Sequence, residues 1–236
     1  MSILEIAEAV DSYRMKCSQS FLNQKARELQ GYELSSISKY AQMYLEKAIN
    51  TIPLYDVCQI AILNDNADNG FPHTRPNNIV CLPVSICVDE PATPKFIETL
   101  IHEAIHVHQR LNKELWLKSL KRAKWTPVNS DLIPDEFKQR MRLNPDTILE
   151  PFWAWSEYHV PLCLFRKTGE VSLSNTIVEW LDLRTDSLFH DPPKGFNEVY
   201  RHHIHQMEHP YEIYAEIFAA KRLKSNEDLE NALSKL

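Results

Sequence analysis

Residues Thr99-Leu-Ile-His-Glu-Ala-Ile-His-Val-His-Gln-Arg110 hold three imidazoles and a carboxylate within the seven positions from His102 to His108. His102 and His106 are four apart, so in a helix they stand one above the other and aim two nitrogens at one point. Neutral imidazole is a good zinc ligand, and a preset pair supplies half of a tetrahedral site. Glu103, one residue on, can reach a water on such an ion without ligating it, which is where a general base belongs. In the helical projection Ile97, Leu100, Ile101, Ala104, Ile105 and Leu111 form an apolar arc, with His102 and His106 at its margin beside Thr99 and Gln109. His108 falls back within the arc and reads as a packed, hydrogen-bonded histidine.

The elements around this segment mix helices and short strands without βαβ alternation, so the expected class is α+β. The first fifty residues read as two helices, one on Ile3, Ile6, Ala7 and Val10, the other on Ile37, Tyr40, Ala41, Tyr44, Leu45 and Ala48, stopped by Pro53. Two β-type runs, 56–63 and 77–86, flank a polar loop. Thr93 caps and Pro94 opens the helix bearing the histidines. A helical piece runs to about Lys124 and a short one begins at Pro134. The stretch 150–174 is extended, with a turn at 167–170. The last helix runs from Pro210 to about Leu223, followed by a small one from Asn226. One domain over 1–236 is expected, with a helical part at 1–52 and the chemistry in 53–236.

His102-Glu-Ala-Ile-His106 resembles the active-site helix of the zincin metallopeptidases, and the preceding "FPHTRPNNIVCLP" resembles the strand that borders their substrate cleft, with "NNIVCLP" as its edge strand. The resemblance implies a zincin-like fold, with the active-site helix on a small, mostly antiparallel sheet. It implies zinc as cofactor and a peptide or protein as substrate. It also makes Asn78, Ile79 and Val80 substrate-binding positions on an edge strand that pairs with the peptide. Gln109 and Asn112 stand where the metzincin branch has its glycine and third histidine, which excludes that branch. The gluzincin branch takes its third ligand from a later helix, and "HPYEIYAEIFAA" offers Glu212 as ligand with Glu216 as the partner that fixes a histidine tautomer. Glu212 also has an ordinary explanation as an acid in the first turn of a helix, and Glu216 is its competitor as ligand. On this reading zinc activates a water, Glu103 takes its proton, and the peptide carbonyl is attacked.

The cluster at His202, His203 and His205 is a further source of a ligand or of an oxyanion donor. His205 is taken as the catalytic donor, with Tyr200, His203, Tyr158 and Arg142 as alternatives. The run 142–147 reads as a tight Asn-Pro-Asp turn, and Trp153 and Trp155 as core. A deformylase-type amide hydrolase would need an upstream cysteine ligand in a glycine context, which Cys81 and Cys87 lack. A rival from another class is a non-catalytic metal-binding or interaction module that keeps the helix as scaffold.

The bulk numbers narrow the field further. A net charge of −6 argues against a nucleic-acid surface, and the basic run at 118–124 reads as a solvated face. Four glycines leave no phosphate-cradling loop. Five scattered cysteines make neither a disulfide framework nor a thiolate zinc site. The acidic start "MSILEIAEAVD" is unlike a secretory signal and no stretch suits a membrane span, so the expected place is the cytoplasm and no membrane partner is expected.

Overall fold

A computed structural model of the chain describes residues 1–27, 31–87, 93–200 and 207–236. Helices α1 (Ile3–Asp11), α2 (Tyr13–Gln19), α3 (Phe21–Ala26) and α4 (Lys39–Ile49) occupy the N-terminal region; α1 and α4 are the two expected helices, and α2 and α3 are additional. Serines set the divisions. Ser2 and Glu5 form a reciprocal cap on α1, and Ser20 and Ser38 cap α3 and α4. Ser12 takes a left-handed φ of 52° between α1 and α2, and the Asp11 carboxylate accepts from the Tyr13 amide there.

The first sheet contains β1 (Gln59–Leu63), β2 (His73–Arg75) and β3 (Ile79–Pro83) in the order β1-β3-β2, with β1 parallel and β2 antiparallel to β3. This corrects the expectation for Asn78, Ile79 and Val80. β3 is the central strand, its Ile79 and Val80 are fully buried, and both of its edges are taken. Asn78 lies in a left-handed turn, and its side-chain amide is spent on the Val57 carbonyl. None of the three can pair with a substrate. The edges are β1 and β2, and β2, on the side of Asp146 and Arg110, is only three residues long and invisible as a hydrophobic run. Its outward groups are also occupied, because Asp146 accepts from the Thr74 amide at 2.7 Å and Arg110 donates to the Thr74 carbonyl at 3.1 Å.

Thr93 and Pro94 open α5 (Pro94–Leu111) as their types require, with the Thr93 hydroxyl accepting from the Phe96 amide. Next come α6 (Lys113–Arg122), β4 (Trp125–Pro127), α7 (Asp135–Lys138), β5 (Trp153–Trp155), β6 (His159–Phe165), β7 (Thr176–Asp182) and β8 (Ser187–Phe189). The five strands form an antiparallel sheet in sequence order. The chain then continues through α8 (Phe196–Tyr200), α9 (Pro210–Ala220) and α10 (Asn226–Leu233). The α+β class holds.

One hydrophobic cluster joins these parts. It runs from Leu45 of α4 and Leu82 of β3 through Ile101 and Ile105 of α5 and Ile213 and Ile217 of α9 to Trp125, Trp153, Trp155 and Trp180 of the second sheet. Side chains of this size remove a large apolar area from water, at roughly 25 cal/mol per Å². That area sets α5 and α9 against each other. Among the described residues, no helix is long and apolar enough to cross a membrane.

Candidate metal centre

The site forms where the first turn of α9 meets the middle of α5. His102 and His106 face the same way, their Nε2 atoms 3.1 Å apart. Glu212 Oε2 lies 3.3 Å from the first and 3.4 Å from the second. Glu212 sits in the first turn of α9 but does not cap it. His209 does that, its Nδ1 accepting from the Tyr211 amide. The carboxylate is thereby free to point across the helix interface; the cap belongs to His209, while Glu212 remains an acid in the first turn of α9.

Two histidine nitrogens and a carboxylate oxygen, all within 4.8 Å of one another, are a donor set that could hold a metal ion. The spacing suits the tetrahedral case. Donors roughly 2.0–2.1 Å from such an ion stand about 3.3 Å from each other, close to the three separations above. With both rings neutral, two Nε2 atoms 3.1 Å apart beside a buried carboxylate call for a proton or a metal ion between them. The electrostatics point the same way. Burial opposes protonation of His106, yet Glu212 and Asp146 raise its pKa to about 10. Burial would raise Glu212, but the two imidazoles hold it well below the usual carboxylate range. The centre of this group therefore favours positive charge.

Gln109 sets the geometry of His106. Its Nε2 donates to the Tyr211 carbonyl at 2.9 Å, which turns its Oε1 toward His106 Nδ1, 2.7 Å away. With a metal ion on Nε2, the His106 proton would be held on Nδ1 by this contact. Glu216 was expected in this role and does not fill it. It lies a turn further along α9, lines the cleft, and keeps one buried carboxylate oxygen without a hydrogen-bond partner among the described residues.

Glu103 is 4% exposed and its Oε2 also has no hydrogen-bond partner among the described residues. Burial, then the negative charge of Asp146, raises its pKa to about 7, against the pull of the two histidines. His108 is packed as expected, accepting from Trp116 Nε1 at 3.0 Å, and burial lowers its pKa to about 4.

The site opens on a cleft of about 1270 Å³, lined on one side by Thr99, His102 and Glu103 of α5 and on the other by Ile177 and Val178 of β7. Asn144 and Asp146 form part of its wall. The Asn-Pro-Asp run was read as a turn alone. It is one, with Asn144 Oδ1 accepting from the Asp146 amide. It also sends Asn144 to Glu212 and Asp146 to the edge of β2. The sequence signal was present in residue types that turns and sites share.

The oxyanion candidates separate. Tyr200 is buried against Trp125 and Tyr214, hydrogen-bonded to both. Tyr158 is exposed beneath Arg184. Neither lines the cleft. Arg142 does, with its guanidinium on Glu208 at 2.6 Å. His202, His203 and His205, including the catalytic assignment to His205, lie outside the described residues. Trp153 and Trp155 are core.

No family model, no curated protein and no solved structure matches this chain.

Proposed function

We propose that this protein is a zinc-dependent hydrolase of peptide bonds, gluzincin-like in its ligand set. One observation carries the reading: a glutamate from a helix a hundred residues downstream meets two histidines spaced one helical turn apart, with a second acid, Glu103, beside them. His102, His106 and Glu212 would hold the ion. Zinc so held supplies a Lewis acid and a water ionised near neutrality.

The chain's own residues account for the rest. Glu103, buried beside the ligands with its pKa raised by burial and by Asp146, is placed to accept a proton and return it to a leaving amine. Its uncommitted Oε2 is the atom that would do so. Gln109 keeps the His106 lone pair turned inward. The sheet edge at Thr74 is closed, so a peptide in the cleft would not add to β2 as a further strand.

The test is metal content by elemental analysis in wild type, His106→Ala and Glu103→Gln, with cleavage of an unfolded protein substrate followed in parallel. One zinc per chain in wild type and Glu103→Gln, none in His106→Ala, and cleavage by wild type alone is the expected pattern. Near-zero metal in all three would remove the mechanism. Metal with no cleavage would favour a binding module on the same scaffold.

A further inference from the structure

Asn144 reaches the Glu212 carboxylate from the wall of the cleft. Its Nδ2 donates to Glu212 Oε1 at 2.7 Å and to Glu208 Oε1 at 2.9 Å. A carboxylate turns easily about its last bond. With Oε1 fixed, Oε2 is the oxygen left facing the imidazoles. The amide cannot be reversed, because its Oδ1 accepts from the Asp146 amide at 2.9 Å. Glu208 is held in turn by Arg142.

The backbone on which Asn144 rides is fixed by the N-terminal helices. Asn23 of α3 accepts from the Leu143 amide at 2.9 Å and donates to the Met141 carbonyl at 2.7 Å. Arg27, just past α3, donates to the Leu143 carbonyl and to Asn23. Asn23 is 1% exposed, so water is not at hand to replace these bonds. A continuous path runs from α3 to the backbone at Leu143, to the Asn144 amide, and so to Glu212.

We propose that Asn144 is a positioning residue for the metal ligand Glu212, and that α3 keeps it in register through Asn23. The helical N-terminal part is then a working component of the metal centre rather than a cover over the cleft. The proposal rests on Glu212 being a ligand.

The experiment uses the full chain, stripped of metal and reloaded. Zinc affinity is measured by competition with a chromophoric chelator, cobalt(II) replaces zinc for its visible spectrum, and the melting of the metal-free protein is recorded. Asn144→Ser keeps an oxygen for the Asp146 amide and so preserves the turn, but cannot reach Glu212. Its zinc affinity should fall about 10- to 100-fold, with an altered cobalt spectrum and little change in metal-free melting. Asn23→Asp keeps the acceptor for Leu143 and loses the donor to Met141. It should shift affinity the same way, by a smaller factor. Glu212→Ala is the reference for the ligand itself. If Glu212→Ala loses zinc while Asn144→Ser keeps wild-type affinity and spectrum, the positioning role is wrong and the ligand assignment stands. If Asn144→Ser acts and Asn23→Asp does not, the role of α3 is wrong. If Glu212→Ala binds zinc as tightly as wild type, or wild type takes up none, both readings fall together.

Discussion

Gln109 presents its carbonyl oxygen to His106, with Oε1 2.7 Å from Nδ1, while its amide nitrogen reaches the backbone of Tyr211, the residue before Glu212. A single side chain thus fixes a histidine tautomer and pins the first turn of α9 to α5. Gln109→Leu keeps the volume and removes both bonds. Metal affinity should drop about 10- to 100-fold, and the metal-free protein should lose roughly 1–3 kcal/mol, the usual penalty for unpaired buried polar groups. Chelator competition and chemical unfolding read the two effects separately. Unchanged zinc binding would mean that some other group sets the tautomer.

The charge of Asp146 acts on Glu103 across the site and, after burial, is the largest cause of its raised pKa. Asp146→Asn keeps an oxygen for the Thr74 amide and removes that charge. The Glu103 pKa should then fall from about 7. A base works when deprotonated, so the acidic limb of the pH–rate profile should move to lower pH. Isotope-edited titration of the glutamate carboxyl in the metal-free protein gives the same answer without turnover. A limb that stays put would show that the observed ionisation belongs to another group.

Much of this centre was legible in the sequence because its signal is local. His102, Glu103 and His106 are related by helix geometry alone, and the Thr93-Pro94 start and Pro210 opening are chemical punctuation that does not depend on the rest of the fold. Glu212 required long-range packing and was reached through the family resemblance. What the sequence hid was of two kinds. β2 is too short to carry a period, so nothing local opposed the edge position that the family resemblance implied for β3. Gln109, Asn144 and Asp146 have side chains equally at home on a helix surface or in a turn, and only the tertiary contacts distinguish those uses. Glu216 had the right spacing to hold a ligand histidine, but at His106 that place belongs to Gln109.

His209 caps α9 as a neutral ring, accepting from the Tyr211 amide at Nδ1 and donating from Nε2 to the Glu150 carbonyl. Burial lowers its pKa from 6.5 to about 4. Between those values the unfolded chain binds a proton that the folded one does not. The stabilisation is therefore complete above about pH 6.5 and is lost as pH falls toward 4, by up to about 3 kcal/mol. Other groups titrate in the same range, so the informative quantity is a difference. His209→Asn keeps a capping acceptor and removes this titration. Relative to the variant, wild type should lose stability in metal-free urea unfolding as pH drops from 6.5 to 4. A difference independent of pH would show that the ring is protonated in the folded state or exposed to solvent.

Arg75 is fully buried on β2, its guanidinium spread over Asp11 at 2.7 Å, Glu8 at 2.8 Å and the Tyr32 hydroxyl at 2.8 Å. This network ties α1 to the edge strand of the first sheet. Removing the cation leaves Asp11, 1% exposed, as a buried charge without its counter-ion. Arg75→Met keeps most of the apolar stem and should cost about 3–5 kcal/mol. Arg75→Lys retains the charge but cannot match the forked contact with Asp11, so its loss should be intermediate. The double variant Arg75→Met with Asp11→Leu removes both charges and should recover much of the stability, because the penalty lies in the unpaired carboxylate rather than in the absent bond. Equilibrium denaturation of the three proteins decides this. A double variant no more stable than Arg75→Met alone would place the cost in lost packing around the Arg75 stem.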